Sequence, residues 1–368
     1  MDKTRILFVG GFLGAGKTTL LWKAAQLLAQ RGKRVGLITN DQAPDLVDTR
    51  LLVEKGHVVR EVAGSCFCCN FNGLIDAIES LRAADADVLI GEPVGSCTDL
   101  SATILQPLKD KFRDRFVLSP LSVLADPQRL VNILDEDGGS LHASAAYIFR
   151  KQLEEADLLV VNKIDSVSPE GRDRLERLVA AQFPQTPVRC LSARTGEGVE
   201  AWLDEVLGSR QAGTRVLDID YDVYAEGEAV LGWLNADVRL SSVDSGGSWD
   251  SFCWDLLKSL HAELRKRQTR IGHVKLLLAA DGQHCVGNLT DLHRAPAVQG
   301  RVERTTATAD LILNARVEMA PEDLERIVRD ALAKAAALGH VRFDVLHLRC
   351  LRPGRPRPTH RCKTVVKP

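Results

Sequence analysis

Residues 11–18 read Gly-Phe-Leu-Gly-Ala-Gly-Lys-Thr, and their setting leaves little freedom in how the chain can begin to fold. The apolar run Arg5-Ile6-Leu7-Phe8-Val9 before them has the length and composition of a buried strand. Thr19 to Gln30 after them has helical spacing, with Leu20, Leu21, Leu27 and Leu28 apolar and Gly32 closing the pattern. A strand that breaks into glycines and restarts as a helix presents free backbone N–H groups at the helix N-terminus. Such a loop wraps a polyphosphate, with Gly11, Gly14, Ala15 and Gly16 supplying backbone and Thr19 following in the first helical turn. Lys17 is positioned to reach the β and γ phosphates, and Thr18 to offer its hydroxyl to Mg²⁺.

The same alternation continues to about residue 208. Strands are expected at 5–9, 34–39, 57–62, 86–91, 116–124, 157–161 and 187–191. Helices are expected near 18–31, 72–84, 98–112, 141–155, 169–182 and 197–207. Repeated βα units imply an α/β fold: a doubly wound, mainly parallel sheet forming a P-loop domain over 1–208. Ligand sites belong at the carboxyl ends of its strands, where the P-loop, Asn40-Asp41, Glu92, Asp126 and Asn162 fall. Gly208 to Thr214 is polar and aperiodic, so 209–214 reads as a linker. Beyond it, strand-like runs at about 228–241, 271–280, 284–289, 307–319 and 341–350 surround helical patterns at 248–268 and 321–338. That order indicates a smaller α+β domain over 215–350 with its helices on one face, followed by a basic, proline-bearing tail at 351–368.

Asn162-Lys163-Ile164-Asp165 follows the apolar strand Asp157–Val161. A carboxylate there selects guanine, because Asp165 can accept from both N1–H and the exocyclic amine, which adenine cannot offer. The Lys163 stem can lie over the base, and the backbone of Ser192-Ala193 can receive the guanine carbonyl. GTP is therefore expected rather than ATP.

Cys66-Phe67-Cys68-Cys69 places three thiols in four residues. Thiolates are ligands for soft or borderline divalent ions, and three can hold Zn²⁺ or Co²⁺ with one position open. Core packing and a disulfide are the alternatives, although neighbouring Cys68 and Cys69 would close a strained ring. Glu92, in Glu92-Pro93-Val94-Gly95, can bind Mg²⁺ through water or orient the attacking water, with helix capping as the other reading. Asp41 is a second candidate for the Mg²⁺ shell. Cys97 reads as a small buried residue at a helix start; it becomes a fourth thiolate only if its turn meets the Cys66 loop. The tail carries Arg352, Arg355, Arg357, Arg361 and Lys363 with no acidic residue. It is expected to dock an acidic client or to pack back on the GTPase domain. It lacks the interleaved aromatics of a nucleic-acid binder.

Composition excludes several classes. A net charge of −1, with 45% hydrophobic and 26% charged residues, gives no global steering toward nucleic acid or membrane. No run is long enough for a transmembrane helix, and nine cysteines beside a GTP motif suggest reduced thiols in the cytoplasm.

Taken in order, the P-loop Gly-Gly-Phe-Leu-Gly-Ala-Gly-Lys-Thr-Thr, the C-x-C-C, the Glu92–Gly95 turn and N-K-x-D resemble the CobW-type branch of the P-loop metallochaperone GTPases. These are similar to the UreG and HypB nickel-insertion GTPases. The resemblance implies GTP hydrolysis coupled to loading and release of a thiolate-bound metal. A client apo-protein or cofactor-pathway enzyme is the implied partner, and a homodimer is admitted. The nine histidines are scattered, so metal storage is not implied. Two rival readings stand beside it: a GTP-driven regulator or repair factor with only a structural metal, and a small-molecule kinase.

Overall fold

The computed structural model describes residues 3–42, 47–134, 141–243 and 248–367. Among these, two compact units are found, one comprising 3–42, 55–227 and 355–367, the other 47–54 and 228–354.

The first unit is built on β1 (Thr4–Gly11), β2 (Val35–Asn40), β3 (Val58–Val62), β4 (Val88–Glu92), β5 (Phe116–Leu118), β6 (Ser122–Ala125), β7 (Leu158–Val161) and β8 (Val188–Cys190). Their order is β3-β2-β4-β1-β6-β7-β8, with β5 also on β1, and every pairing is parallel. The central strands are buried on both faces, which is why Ile6–Val9, Val88–Ile90 and Leu158–Val161 read as continuous apolar runs. The chain winds to one side of β1 through β2 and β3, returns to β4, then crosses to β6. The P-loop after β1 therefore opens at the point where the winding reverses, the usual crevice for a ligand.

The strand expected at 116–124 is two strands. Pro120 has no N–H to give the ladder, so β5 ends at Leu118 and β6 restarts at Ser122. Helices at Lys17–Gln30, Phe71–Ala83, Ala143–Glu155, Pro169–Gln182 and Val199–Gly208 match expectation closely. The one expected at 98–112 opens as a wide turn at Ser101–Leu105 before becoming α-helical at Gln106–Phe112. Pro127 after the strand-ending Asp126 signals a helix start, and a helix runs Pro127–Leu134; Asp126 starts it by accepting from the amides of Gln128 (3.0 Å) and Arg129 (3.2 Å).

The segment 209–214 is not a free linker. Gly213 and Thr214 donate their amides to Asp157 at 2.6 and 2.8 Å, and Gln106 donates to the Gly213 carbonyl at 2.8 Å. These bonds stitch the segment to the sheet domain, which runs on to Gly227.

The second unit is an antiparallel sheet of β9 (Gly232–Ser242), β10 (Ile271–Ala280), β11 (Gln283–Leu289), β12 (Ala297–Gln299), β13 (Thr308–Val317) and β14 (Val341–Leu351), ordered β12-β11-β10-β13-β9-β14. Alternate residues Leu234, Ala236, Val238 and Leu240 of β9 and Leu311, Leu313 and Ala315 of β13 face one core. The helices Trp249–Lys266 and Pro321–Gly339 close that core with Leu256, Leu260, Ile327 and Leu332. The helices of this unit are not confined to the one face that the sequence pattern implied. The helix Val47–Glu54, placed by sequence position in the first domain, belongs to this unit: its Asp48 pairs with Lys275 at 2.7 Å and its Val47 amide donates to Asn314 at 2.8 Å. Lys275 and Asn314 alternate with core-facing Leu276 and Leu313, so this helix lies on the opposite face. Among the described residues, no helix is long and apolar enough to cross a membrane.

Candidate functional site

The loop between β1 and its helix is held in shape from below. Gly16 adopts φ +94, and a Cβ there would come within 2.4 Å of the Asn162 amide nitrogen, so only glycine fits. Asn162 donates to the Ala15 carbonyl at 2.8 Å and accepts from the Ala193 amide at 2.9 Å. One buried side chain thus ties the P-loop to the Ser192-Ala193 loop. Lys163, itself at φ +61, donates to the Gly14 carbonyl at 2.7 Å and to Asp126 at 2.9 Å. Burial pushes the Asp126 carboxyl up, but the Lys163 charge and hydrogen bond outweigh it and hold it below the ordinary value. Asp165 behaves alike: burial raises it, while Ser192, donating at 2.5 Å, and the Arg194 guanidinium keep it low and ionised.

Lys17 donates to the Gly11 carbonyl at 2.9 Å and stands 3.9 Å from Glu92, while the Thr18 hydroxyl donates to the same Glu92 oxygen at 3.2 Å. All three are buried. A hydroxyl and a carboxylate sharing one place beside the lysine is an oxygen set suited to Mg²⁺. Asp41 is buried at the end of β2, where its carboxylate accepts from the Gln42 amide at 2.8 Å.

The thiols converge. The sulfurs of Cys66 and Cys68 are 2.9 Å apart, Cys66 and Cys69 3.2 Å, and Cys68 and Cys69 3.8 Å. The loop achieves this by turning back on itself, with the Cys69 and Asn70 amides both donating to the Cys66 carbonyl at 3.0 and 2.9 Å. Phe67 points the other way and packs edge-on against Phe8 of β1. Asn40 clamps the loop from outside: it donates to the Val62 and Ser65 carbonyls at 2.7 and 2.8 Å and accepts from the Phe67 amide at 2.8 Å. Hydrogen bonds from Cys68, Cys69 and Cys97 overcome burial to hold the Cys66 thiol well below its ordinary value. Cys68 is pushed up as the donor in that exchange, and Cys69 is raised to about 11 chiefly by Cys66. Among the described residues these three form the group of metal-ligating side chains.

The tail packs back on the sheet domain, and it does so at the thiols. Thr359 donates its amide to the Cys68 carbonyl at 2.8 Å and its hydroxyl to the Cys69 carbonyl at 3.1 Å. His360 stacks edge-on against Phe71 with centroids 5.0 Å apart, and Arg361 pairs with buried Asp99 at 2.6 Å. Repulsion among its arginines does not expel the tail, because Arg355 is led to Asp222 and Arg361 to Asp99 and the Leu217 carbonyl.

Residues 5–189, half of the chain, match the CobW/HypB/UreG nucleotide-binding domain. The chain belongs to the CobW/HypB/UreG family. It is 32% identical to the zinc chaperone YeiR of Escherichia coli, over 47% of this chain and 51% of that protein. It is 26% identical to the zinc chaperone CobW of Pseudomonas aeruginosa, over 54% and 58%. It is also 26% identical to the zinc-regulated GTPase metalloprotein activator 1 of Schizosaccharomyces pombe, over 60% and 50%. The chain thus spans 50% to 58% of the length of these curated relatives.

Within this CobW/HypB/UreG domain, sequence reasoning singled out the P-loop, Glu92, Asn162, Asp165 and the three cysteines, and the structure groups them at the carboxyl end of one sheet. Asn40 was placed at a ligand-bearing strand end, but its clamp on the cysteine loop had no sequence signal, and Thr359 escaped altogether, lying about 290 residues from the thiols it holds.

Proposed function

We propose that this protein hydrolyses GTP and carries a thiophilic divalent ion, Zn²⁺ before Co²⁺, to a client apo-protein or cofactor-pathway enzyme. The observation that carries this reading is the convergence of three thiols within 4.8 Å of one another at the sheet end that bears the P-loop. A redox pair would need two sulfurs, and a packed core none. The three have no hydrocarbon shape to exploit, and a loop clamped by Asn40 holds them together.

In this reading Lys17 neutralises the β and γ phosphates, and Asp165 selects guanine. Thr18 and Glu92 would hold Mg²⁺, which would supply charge to offset that of the phosphates. Asp41 stands in reserve for that shell. Cys66, Cys68 and Cys69 hold the cargo. Names of relatives as zinc chaperones support zinc as the first choice. A tenfold difference in metal affinity between nucleotide states requires only about 1.4 kcal/mol of coupling.

The test is a competitive Zn²⁺ and Co²⁺ titration of the reduced protein with Mg²⁺ and a non-hydrolysable GTP analogue, then with GDP. A Cys66→Ser, Cys68→Ser, Cys69→Ser variant runs alongside. Affinity that rises with the GTP analogue and disappears in the variant supports delivery. Tight binding that ignores the nucleotide would replace delivery with a GTP-driven regulator holding a structural metal.

A further inference from the structure

The turn that leaves Glu92 ends among the thiols. Cys97 is 1% exposed, and its thiol hydrogen-bonds with both Cys66 and Cys68. It therefore sits on the Cys66–Cys68 edge of the sulfur triangle, while Cys69 carries the contact with the tail, accepting from the Arg357 amide at 3.2 Å.

Its backbone is fixed in that position. The Cys97 amide donates to the Val94 carbonyl at 2.9 Å, closing a tight turn. Gln152, 1% exposed, donates its side-chain amide to the Gly95 carbonyl at 3.0 Å and to the Cys97 carbonyl at 2.8 Å. The Thr98 amide donates to the Tyr224 hydroxyl at 3.3 Å. Three separate elements spend buried hydrogen bonds to aim one cysteine at two others. These bonds satisfy the buried backbone of the turn and fix where the Cys97 side chain starts.

We infer that Cys97 is the fourth thiolate of the metal site, converting a three-sulfur cluster into a tetrahedral four-sulfur one. Zn–S bonds of about 2.3 Å put tetrahedral sulfurs roughly 3.8 Å apart. The three thiols at 2.9, 3.2 and 3.8 Å reach that geometry with shifts of under about 1 Å, while Cys97, which lies outside the group whose ligand atoms fall within 4.8 Å of one another, must swing in toward Cys69 to close the tetrahedron.

The assignment rests on the metal-carrying reading above and adds a physical route between the two ligands. Cys97 lies five residues after Glu92, on a turn whose Gly95 touches the P-loop. A Cβ at Gly95 would stand 2.7 Å from Leu13 and 3.1 Å from the Lys17 ammonium. Whatever shifts Lys17 and Glu92 shifts the turn, and with it one ligand of four. A four-thiolate site is closed and retains its ion, while withdrawal of Cys97 opens a position for a client's ligand.

The deciding measurement is zinc K-edge X-ray absorption on the full chain loaded with less than one equivalent of Zn²⁺. It is made with the GTP analogue and with GDP, on the wild type, on Cys97→Ser and on the triple cysteine variant. Four sulfurs at about 2.3 Å in at least one nucleotide state, falling to three plus one lighter atom in Cys97→Ser, is the expected result. Three sulfurs in the wild type in both states overturns the assignment of Cys97 while leaving the three-thiol carrier intact. An unchanged four-sulfur shell in Cys97→Ser overturns it as well. No zinc–sulfur shell in the wild type overturns both readings together. Should Cys97→Ser fail to fold by circular dichroism, the wild-type sulfur number still decides, and Cys97→Ala supplies the comparison.

Discussion

The backbone amide of Arg357 donates to the Cys69 sulfur at 3.2 Å, so a residue from the last fourteen of the chain holds the most exposed of the three clustered thiols. An N–H pointed at sulfur favours thiolate over thiol, and two further bonds from Thr359 keep that amide in place.

The tail's strongest anchor is Arg361 on Asp99. Asp99 is 1% exposed, and burial raises its carboxyl despite help from Tyr221 and Arg361. Arg361→Ala leaves that carboxylate with one fewer charged donor and is expected to cost about 1–3 kcal/mol in urea denaturation. It should also loosen zinc binding, and Arg361→Lys should restore part of both. Unchanged stability would mean that Tyr221 alone satisfies Asp99.

Lys17→Ala removes the ammonium from the phosphate loop. Loss of one charge-assisted contact worth about 2.7 kcal/mol weakens nucleotide binding about 100-fold. Calorimetry with GDP and with the GTP analogue should show the larger loss for the analogue, since the γ phosphate carries the extra charge. Equal losses would place the lysine on the inner phosphates only.

Asp165→Asn exchanges an acceptor for a donor opposite the guanine amine. Competition binding should show affinity moving from guanine toward xanthine nucleotides, whose carbonyl accepts where guanine's amine donates. Ser192 and Arg194 hold Asp165 ionised, so the wild-type preference for guanine should persist through mildly acidic pH.

Glu155 gives a pH signature. Full burial, followed by the nearby Asp99 charge, pushes its carboxyl from 4.5 up to about 8 against hydrogen bonds from the Ser101 and Leu100 amides and the Thr98 hydroxyl. Between about pH 4.5 and 8 the folded chain keeps a proton that the unfolded chain has released, so stability falls as pH rises through that window. Glu155→Gln cannot ionise. Its denaturation midpoint should gain on the wild type from pH 5 to pH 8, by an amount on the order of a few kcal/mol. Parallel profiles would show that Glu155 titrates normally.

Much of the site was legible in the chain. The P-loop, N-K-x-D and C-x-C-C are contiguous, and contiguous motifs depend on local geometry: a strand ending in glycines, a carboxylate at a strand end, thiols one turn apart. Asn162 was legible as a base-site residue, but its bonds to Ala15 and Ala193 join segments about 30 to 150 residues away and have no sequence signature.

Alternation of apolar runs with helical patterns was enough to determine a doubly wound parallel sheet, because parallel strands buried on both faces require crossover helices distributed over the two faces. Tertiary structure alone decided the rest. Val47–Glu54 joined the second unit through Asp48–Lys275, and the proline-bearing tail returned to the thiols. Cys97 reads in sequence as a small buried residue unless its turn meets the Cys66 loop, and only the fold brings it against Cys66 and Cys68. Local motifs carry their own physics, whereas a fourth sulfur, a clamp and a returning tail exist only once distant backbone is brought within bonding distance.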